Sequence, residues 1–516
     1  MVKKNFPKWL DDAVFYEIYP QSFKDSNADG IGDLNGIIEK LDYIRDLGCT
    51  AIWLNPCFDS PFGDAGYDVS DYYKIAPRYG TNEDMKRLID ELHKRGMHIL
   101  LDLVPGHTSI EHEWFKQSMK AKRNEFTDRY IWTDDIDKKP DGYESLRGIS
   151  DRDGSCAVNF FSHQPALNYG YYKPDPNEPW QQSIDDEGPQ ATISAMIDVM
   201  RFWLKMGCDG FRVDMAGSLV KCDEESKGTI KVWKKVRKFL DKEFPEAVMI
   251  AEWGQPDKSI LGGFHMDFLL QFGPSHYNDL FRCEEPFFGG QGDASEFVKK
   301  YIENYKKSHG KGIMCIPSGN HDMYRLARTI KGQKLKLAFA FILTMPGAPF
   351  IYYGDEIGMR YLEDVTSVEG GYKRTGSRSP MQWDDSINAG FGNSAYDMLY
   401  IKQDESKDRP TVKAQMEDED SLLNEVKRLI AFRNEHSSLK SVGDIEFVYA
   451  KKNEYPLAYI RKDRKEKLLV VVNPSDKDVD ISIDYKVKKM LYLIGESKVE
   501  EDKIVVGKDS YVVYEI

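Results

Sequence analysis

Four short stretches carry an acid at the end of an apolar run: LLDLVPGH (100–107), GFRVDMA (210–216), MIAEWG (249–254) and IPSGNHD (316–322). A buried carboxylate is costly unless it is paired, so four of them at such positions are poor folding hardware and read as one site. Asp214 and Glu252 supply what cleavage of a glycosidic bond needs, one carboxylate to attack or stabilise the sugar cation and one carboxylic acid to protonate the leaving oxygen. Arg212 stands two residues before Asp214, hence on the same face of a strand, where it would hold that acid ionised. Asp322 adds a third acid beside His321, and His107 closes the first stretch next to Asp102.

These side chains need rigid elements to hold them. Apolar strand-like runs alternate with amphipathic helices: AVFYEIYP (13–20), AIWLNP (51–56), MHILLDLV (97–104), GFRVDM (210–215), VMIAEW (248–253), MDFLLQF (266–272), GIMCIPS (312–318) and APFIYY (348–353). Between the first of these, Leu34, Ile37, Ile38, Leu41 and Ile44 keep helical spacing, as do Met85, Leu88, Ile89 and Leu92. Eight such units predict an α/β chain folded as a (β/α)8 TIM barrel, in which catalytic groups sit at the C-terminal ends of strands. The acid-bearing stretches end four of those strands. The spacing breaks after the third, where residues 105–190, rich in Asp, Gly, Pro and aromatics, predict an inserted B domain over the barrel mouth. After residue 436 short alternating strands with turn signals predict a C-terminal antiparallel β-sandwich. The expected division is 1–104 with 191–436 for the barrel, 105–190 for the insertion and 437–516 for the all-β domain.

The 516 residues are 41% hydrophobic and 30% charged, with a formal net charge of -14. That charge disfavours nucleic acid and anionic membrane as partners and suits a small neutral substrate. No run of about 18 apolar residues reads as a membrane span and no signal-like stretch opens the chain, so a cytoplasmic monomer or weak homo-oligomer is expected. The 7 cysteines show no metal spacing and are expected as reduced, mostly buried thiols.

The four stretches, together with FYEIYPQSF (15–23) and PMQW (380–383), resemble the signature regions of the α-amylase superfamily of glycoside hydrolases (family 13). In motif they are nearest to its oligo-1,6-glucosidase, α-glucosidase and trehalose synthase branch. The resemblance implies Asp214 as nucleophile and Glu252 as general acid/base, with an apolar neighbour, Trp253, raising its pKa. It implies Asp322 as the acid that binds the sugar 2- and 3-hydroxyls, His107 and His321 as hydroxyl ligands, and Asp102 as support for Arg212. In SPFGDAGYDVSDY (60–72) it implies Tyr67 stacking on the sugar, Asp68 supporting the site, and Asp64 pairing with Arg378 of RTGSRSPMQW (374–383) to close the pocket behind one glucose.

The family commonly has an Asn before His107 that helps bind calcium. This chain has Gly106, which argues against that site. DSNADGIGD (25–33) instead places Asp25, Asn27, Asp29 and Asp33 at alternating positions, an oxygen-rich turn like the start of an EF-hand loop. It matches the branch's first-loop site for a structural Ca2+, with the carbonyl of Ile31 as a further ligand. QPALN (164–168) has Ala166 where the branch has Asp, and Met215 matches neither common choice after the nucleophile, so linkage preference stays open. The expected function is a retaining exo-α-glucosidase acting on non-reducing ends of short α-gluco-oligosaccharides. The alternatives are a transglucosylase or isomerase like trehalose synthase or sucrose isomerase, an endo-acting α-amylase, and a catalytically inactive carbohydrate-binding relative, against which the intact acids argue.

Overall fold

A computed structural model describes residues 6–140, 142–482, 484–501 and 503–516. Eight parallel strands form one sheet: β1 (Phe15–Ile18), β2 (Ala51–Leu54), β3 (His98–Leu103), β4 (Gly210–Val213), β5 (Val248–Ala251), β6 (Met266–Phe268), β7 (Ile313–Cys315) and β8 (Phe350–Tyr352). Their order is β7-β6-β5-β4-β3-β2-β1-β8. A bridge between Pro317 and Phe350 closes the sheet into a barrel. Each strand coincides with one of the expected apolar runs. Of these 31 strand residues only His98 is more than marginally exposed, because a parallel strand is covered by barrel interior on one face and helices on the other.

Helix Asn82–Lys94 follows β2 and is closed at its start by a capping box between Thr81 and Asp84. Met85, Leu88, Ile89 and Leu92 are its buried stripe. The helical run after β1 is broken where one helix was expected. Leu34–Glu39 and Leu41–Leu47 meet at Lys40, whose N–H turns back to Ile37 as well as Ile38 and tightens the turn.

Between β3 and helix Glu187–Met206 the chain is mostly irregular, with one two-stranded ladder, Ser145–Leu146 against Cys156–Ala157. That helix starts ahead of the boundary expected at 191. At the other end, a five-stranded antiparallel sheet and a three-stranded one pack face to face. Ile460, Val471 and Val512 of the first meet Ile481, Ile504 and Val506 of the second. The opposite face of the larger sheet, through Tyr459, Leu468 and Val470, joins the barrel core. None of the seven cysteines is in a disulfide, and among the described residues no helix is long and apolar enough to cross a membrane.

Candidate active site

The ends of β3, β4 and β5 bring Asp102, Arg212, Asp214 and Glu252 together. The Arg212 guanidinium is 1% exposed and serves three carboxylates. Its Nη1 donates to Asp102 Oδ1 at 2.8 Å and Asp214 Oδ1 at 3.1 Å, and its Nη2 lies 2.8 Å from Glu252 Oε1. Asp102 also accepts from Trp53 Nε1 and from the Tyr67 hydroxyl, both at 3.1 Å. The other oxygen of Glu252 accepts the Met215 amide at 3.0 Å, which ties the two catalytic candidates to one backbone turn.

Arg212, expected to hold Asp214 ionised, contacts it but is opposed by the surroundings. Burial first, and then the Glu252 carboxylate, push Asp214 well above the ordinary carboxylate range, with Arg212 opposing them. One cation is thus shared among three buried acids.

The floor of the site is built by the segment after β7. Asp322 Oδ1 accepts Arg374 Nη1 at 2.8 Å and Arg378 Nη2 at 2.9 Å. His321 Nε2 lies 2.7 Å from the Tyr67 hydroxyl and 3.3 Å from Asp322 Oδ2. Burial alone would raise Asp322; His321, Arg374 and Arg378 hold it well below the usual range instead.

Asp64 and Arg378, the expected pair, do not meet. The Asp64 carboxylate is 3.5 Å from Arg374 Nη2 and accepts Gln164 Nε2 at 2.9 Å. Burial raises Asp64 to about 6. Arg378 lies deeper: it is 1% exposed, donates to the His321 carbonyl at 2.8 Å and sits over the Tyr19 ring. The reason is local geometry. The turn Tyr372–Ser377 separates the two arginines by about one helical turn, so both reach Asp322 and only Arg374 also faces the 60–68 loop. Arg374 and Gln164 are therefore the residues that sequence reasoning missed, although both lie in stretches it singled out.

A cavity of about 790 Å³ is lined by Asp64, Tyr67, His107, Asp214, Glu252, Asp322 and Arg374. His107 presents its ring there with both nitrogens occupied, Nε2 at 3.1 Å from the Tyr67 carbonyl and Nδ1 at 3.1 Å from Asn159 Nδ2; burial lowers it to about 3. His321, 0% exposed, is stacked behind Tyr67, beneath the residues that line the cavity. Asp68 does not line the cavity either; its oxygens take the amides of Gly63 and Asp64 and the Ser60 hydroxyl, shaping the loop that presents Asp64. The mouth is aromatic. Phe160, Phe272 and Tyr372 are 53%, 43% and 64% exposed, and each comes from a different loop.

Where a side chain at Gly106 would begin, Asn159 stands 2.7 Å away. The buried ammonium of Lys221 contacts Asn159 Oδ1 and the Ser218 carbonyl, each at 3.2 Å, so a cation of the chain itself occupies this junction. In the first loop, Asp25 accepts the amides of Asn27, Ala28 and Gly30, and Asp33 accepts Ser26 and caps the next helix at Gly36. The oxygens are those a hard cation prefers. As placed, however, they are turned onto the loop's own amides, and among the described residues no three His, Cys, Asp or Glu side chains gather around a point that could hold a metal. The residues do not form a finished cage.

Residues 17–442 match the family described as alpha amylase, catalytic domain, and residues 445–505 the one described as maltogenic amylase, C-terminal domain. The chain is 32% identical to the trehalose synthase/amylase TreS of Mycolicibacterium smegmatis, over 88% of this chain and 80% of that protein. It is also 32% identical to an oligo-1,6-glucosidase of Parageobacillus thermoglucosidasius, over 94% of each. The crystal structure of trehalulose synthase MutB from Pseudomonas mesoacidophila superposes with a TM-score of 0.79 at 26% identity, covering 98% of this chain and 99% of that one. Catalytic domain, barrel and acid-lined cavity agree: the chain belongs to the α-amylase family, glycoside hydrolase family 13, and is an enzyme of glucosidase or amylase type.

Proposed function

We propose that this enzyme is a retaining, exo-acting α-glucosidase that removes single glucose units from the non-reducing ends of short α-gluco-oligosaccharides. Asp214 attacks the anomeric carbon as the carboxylate while the glycosidic C–O bond breaks and Glu252, as general acid, gives a proton to the leaving oxygen. Glu252 then takes a proton from water, whose oxygen displaces Asp214 and restores the carboxylate. A guanidinium bridging both carboxylates suits the retaining arrangement, in which the two carboxyl groups stand about 5–5.5 Å apart. Asp322 takes the sugar hydroxyls and Tyr67 its face.

The observation that carries the exo reading is Arg374 spanning Asp64 and Asp322 across the cavity. Charges paired there leave no room for a second sugar beyond the first. The wild-type enzyme should release glucose from maltotriose and leave an end-blocked maltoheptaoside intact; efficient cleavage of the blocked substrate would return the chain to the endo-acting class. A second reading rests on the aromatic mouth, where Phe160, Phe272 and Tyr372 offer faces to an acceptor sugar. Products from maltose, isomaltose, sucrose and trehalose separate the two, since an isomerase returns a new disaccharide and a hydrolase returns monosaccharides.

For the first loop we propose a structural calcium ion held by Asp25, Asn27, Asp29, Asp33 and the Ile31 carbonyl. The donor set supports it. Binding would exchange present hydrogen bonds, such as Asn27 Nδ2 to Asp29 Oδ2, for metal contacts.

A further inference from the structure

Glu17 lies in β1 at the centre of the barrel, wholly buried, and nothing above assigns it a task. Its Oε1 is 2.9 Å from His321 Nδ1 and 3.4 Å from the His321 amide. Its Oε2 has no hydrogen-bond partner among the described residues. A buried carboxylate with one oxygen unserved is expensive, and a neutral side chain of the same shape would meet the hydrogen bond at lower cost. Burial accordingly raises Glu17 above the ordinary carboxylate range, and His321 first, then Asn55 and Arg212, pull it back towards the ionised form.

The protons of the neighbouring groups can be counted. Tyr67 owns one hydroxyl proton and gives it to Asp102 Oδ2 at 3.1 Å. Its oxygen must then accept from His321 Nε2 at 2.7 Å, which requires a proton on Nε2. On the other side of the ring, a carboxylate at 2.9 Å requires a proton on Nδ1. The Asn55 side-chain amide lies 3.1 Å from the same nitrogen, and with Nδ1 protonated it must present its oxygen there rather than its NH2. With Glu17 ionised both ring nitrogens are donors, which makes the ring an imidazolium.

We propose that Glu17 is a positioning residue of the reaction: it fixes His321 as a doubly protonated ring whose Nε2 orients Tyr67 and holds Asp322 as an ionised acceptor for the sugar. The other charged or titratable groups against His321 are Asp322 on its own segment, Tyr19 stacked at 6.2 Å, Tyr67, and Arg378, which contacts only the His321 carbonyl. Two carboxylates thus flank one cation. In agreement, Asp322 and then Glu17 hold His321 up to about 9 against burial, which alone would lower it. The inference rests on the reading that Asp322 grips the sugar.

The test uses Glu17→Gln with α-glucosyl fluoride, whose leaving group needs no proton, so that Glu252 drops out of the alkaline limb. Removing one of two anions should move the alkaline limb of kcat/KM toward acid by about one pH unit. An unmoved limb in a variant that melts like the wild type overturns the proposal. Independently, 15N NMR of ligand-free wild-type enzyme at pH 7.5 should give both His321 ring nitrogens histidinium shifts. A neutral tautomer there overturns it too, even if Glu17→Gln does not fold. Absence of any α-glucoside turnover by the wild type would instead remove the functional reading and leave the NMR result standing.

Discussion

Arg374 touches two acids that arrive from opposite sides of the cavity, whereas Arg378, four residues on, is enclosed by Tyr19, His321 and Asp322. The two should fail differently. Arg374→Ala is expected to lower kcat/KM on maltose at least tenfold, about 1.4 kcal/mol of transition-state stabilisation, with little change in melting temperature. Arg378→Ala should lose melting temperature as well, because it leaves the buried His321 carbonyl and Asp322 short of donors. The reverse pattern would return the pocket-closing role to Arg378. At this scale the acids expected together do lie around one cavity, while the cation beside Asp64 is Arg374 rather than Arg378. An acid at a strand end is fixed by the strand, but two arginines one turn apart are told apart only by what the opposite loop presents.

At the scale of elements, all eight strands were legible because each is covered on both faces and so reads as an unbroken apolar run. The break at Lys40 was not, since its flanks keep one apolar period. Nor was the contact that fastens the end of β8 to the helices around β1. Glu356, following β8, accepts the hydroxyls of Tyr16 in β1 and Tyr43 in helix Leu41–Leu47, both at 2.7 Å on Oε1. Burial raises Glu356 to about 7, with Tyr43 and Tyr16 pulling back. The fold thus favours the protonated acid. That contribution is present in full below the unfolded-state value near 4.5 and is lost, at up to about 1.4 kcal/mol per pH unit, as pH rises from there through about 7, where the loss levels off. Glu356→Gln keeps the neutral form at every pH. Its melting temperature relative to wild type should therefore climb between pH 5.5 and pH 8.5; a constant difference would mean that Glu356 does not titrate in that range.

Over the whole molecule, the C-terminal sandwich is joined to the barrel through the end of helix Gln333–Thr344. From the sandwich, Arg461 donates to the Thr344 carbonyl and the Tyr459 and Tyr511 hydroxyls bond the Thr344 side chain, while Arg433 of the preceding helix Leu422–Glu435 donates to the carbonyls of Leu343, Met345 and Gly347. Cations at the carboxyl end of a helix answer its unpaired carbonyls and dipole. The first loop is a separate fastening: Gly30 packs so closely on the 398 carbonyl that a Cβ would come within 2.0 Å of it. Calcium there should stabilise the fold by mass action, so adding it to chelated enzyme should raise the melting temperature while initial rates at 25 °C stay level. Identical melts with and without calcium would leave the loop as a turn closed by its own amides. The aromatic mouth has a different kind of consequence. Asp102, Arg212, Asp214 and Glu252 are anchored to strand ends, whereas Phe160, Phe272 and Tyr372 hang on three independent loops. Inheritance can therefore revise them one at a time. A lineage built on this plan is free to drift from splitting sugars to rearranging them by exchanging loops, with its bond-breaking core passed down unaltered.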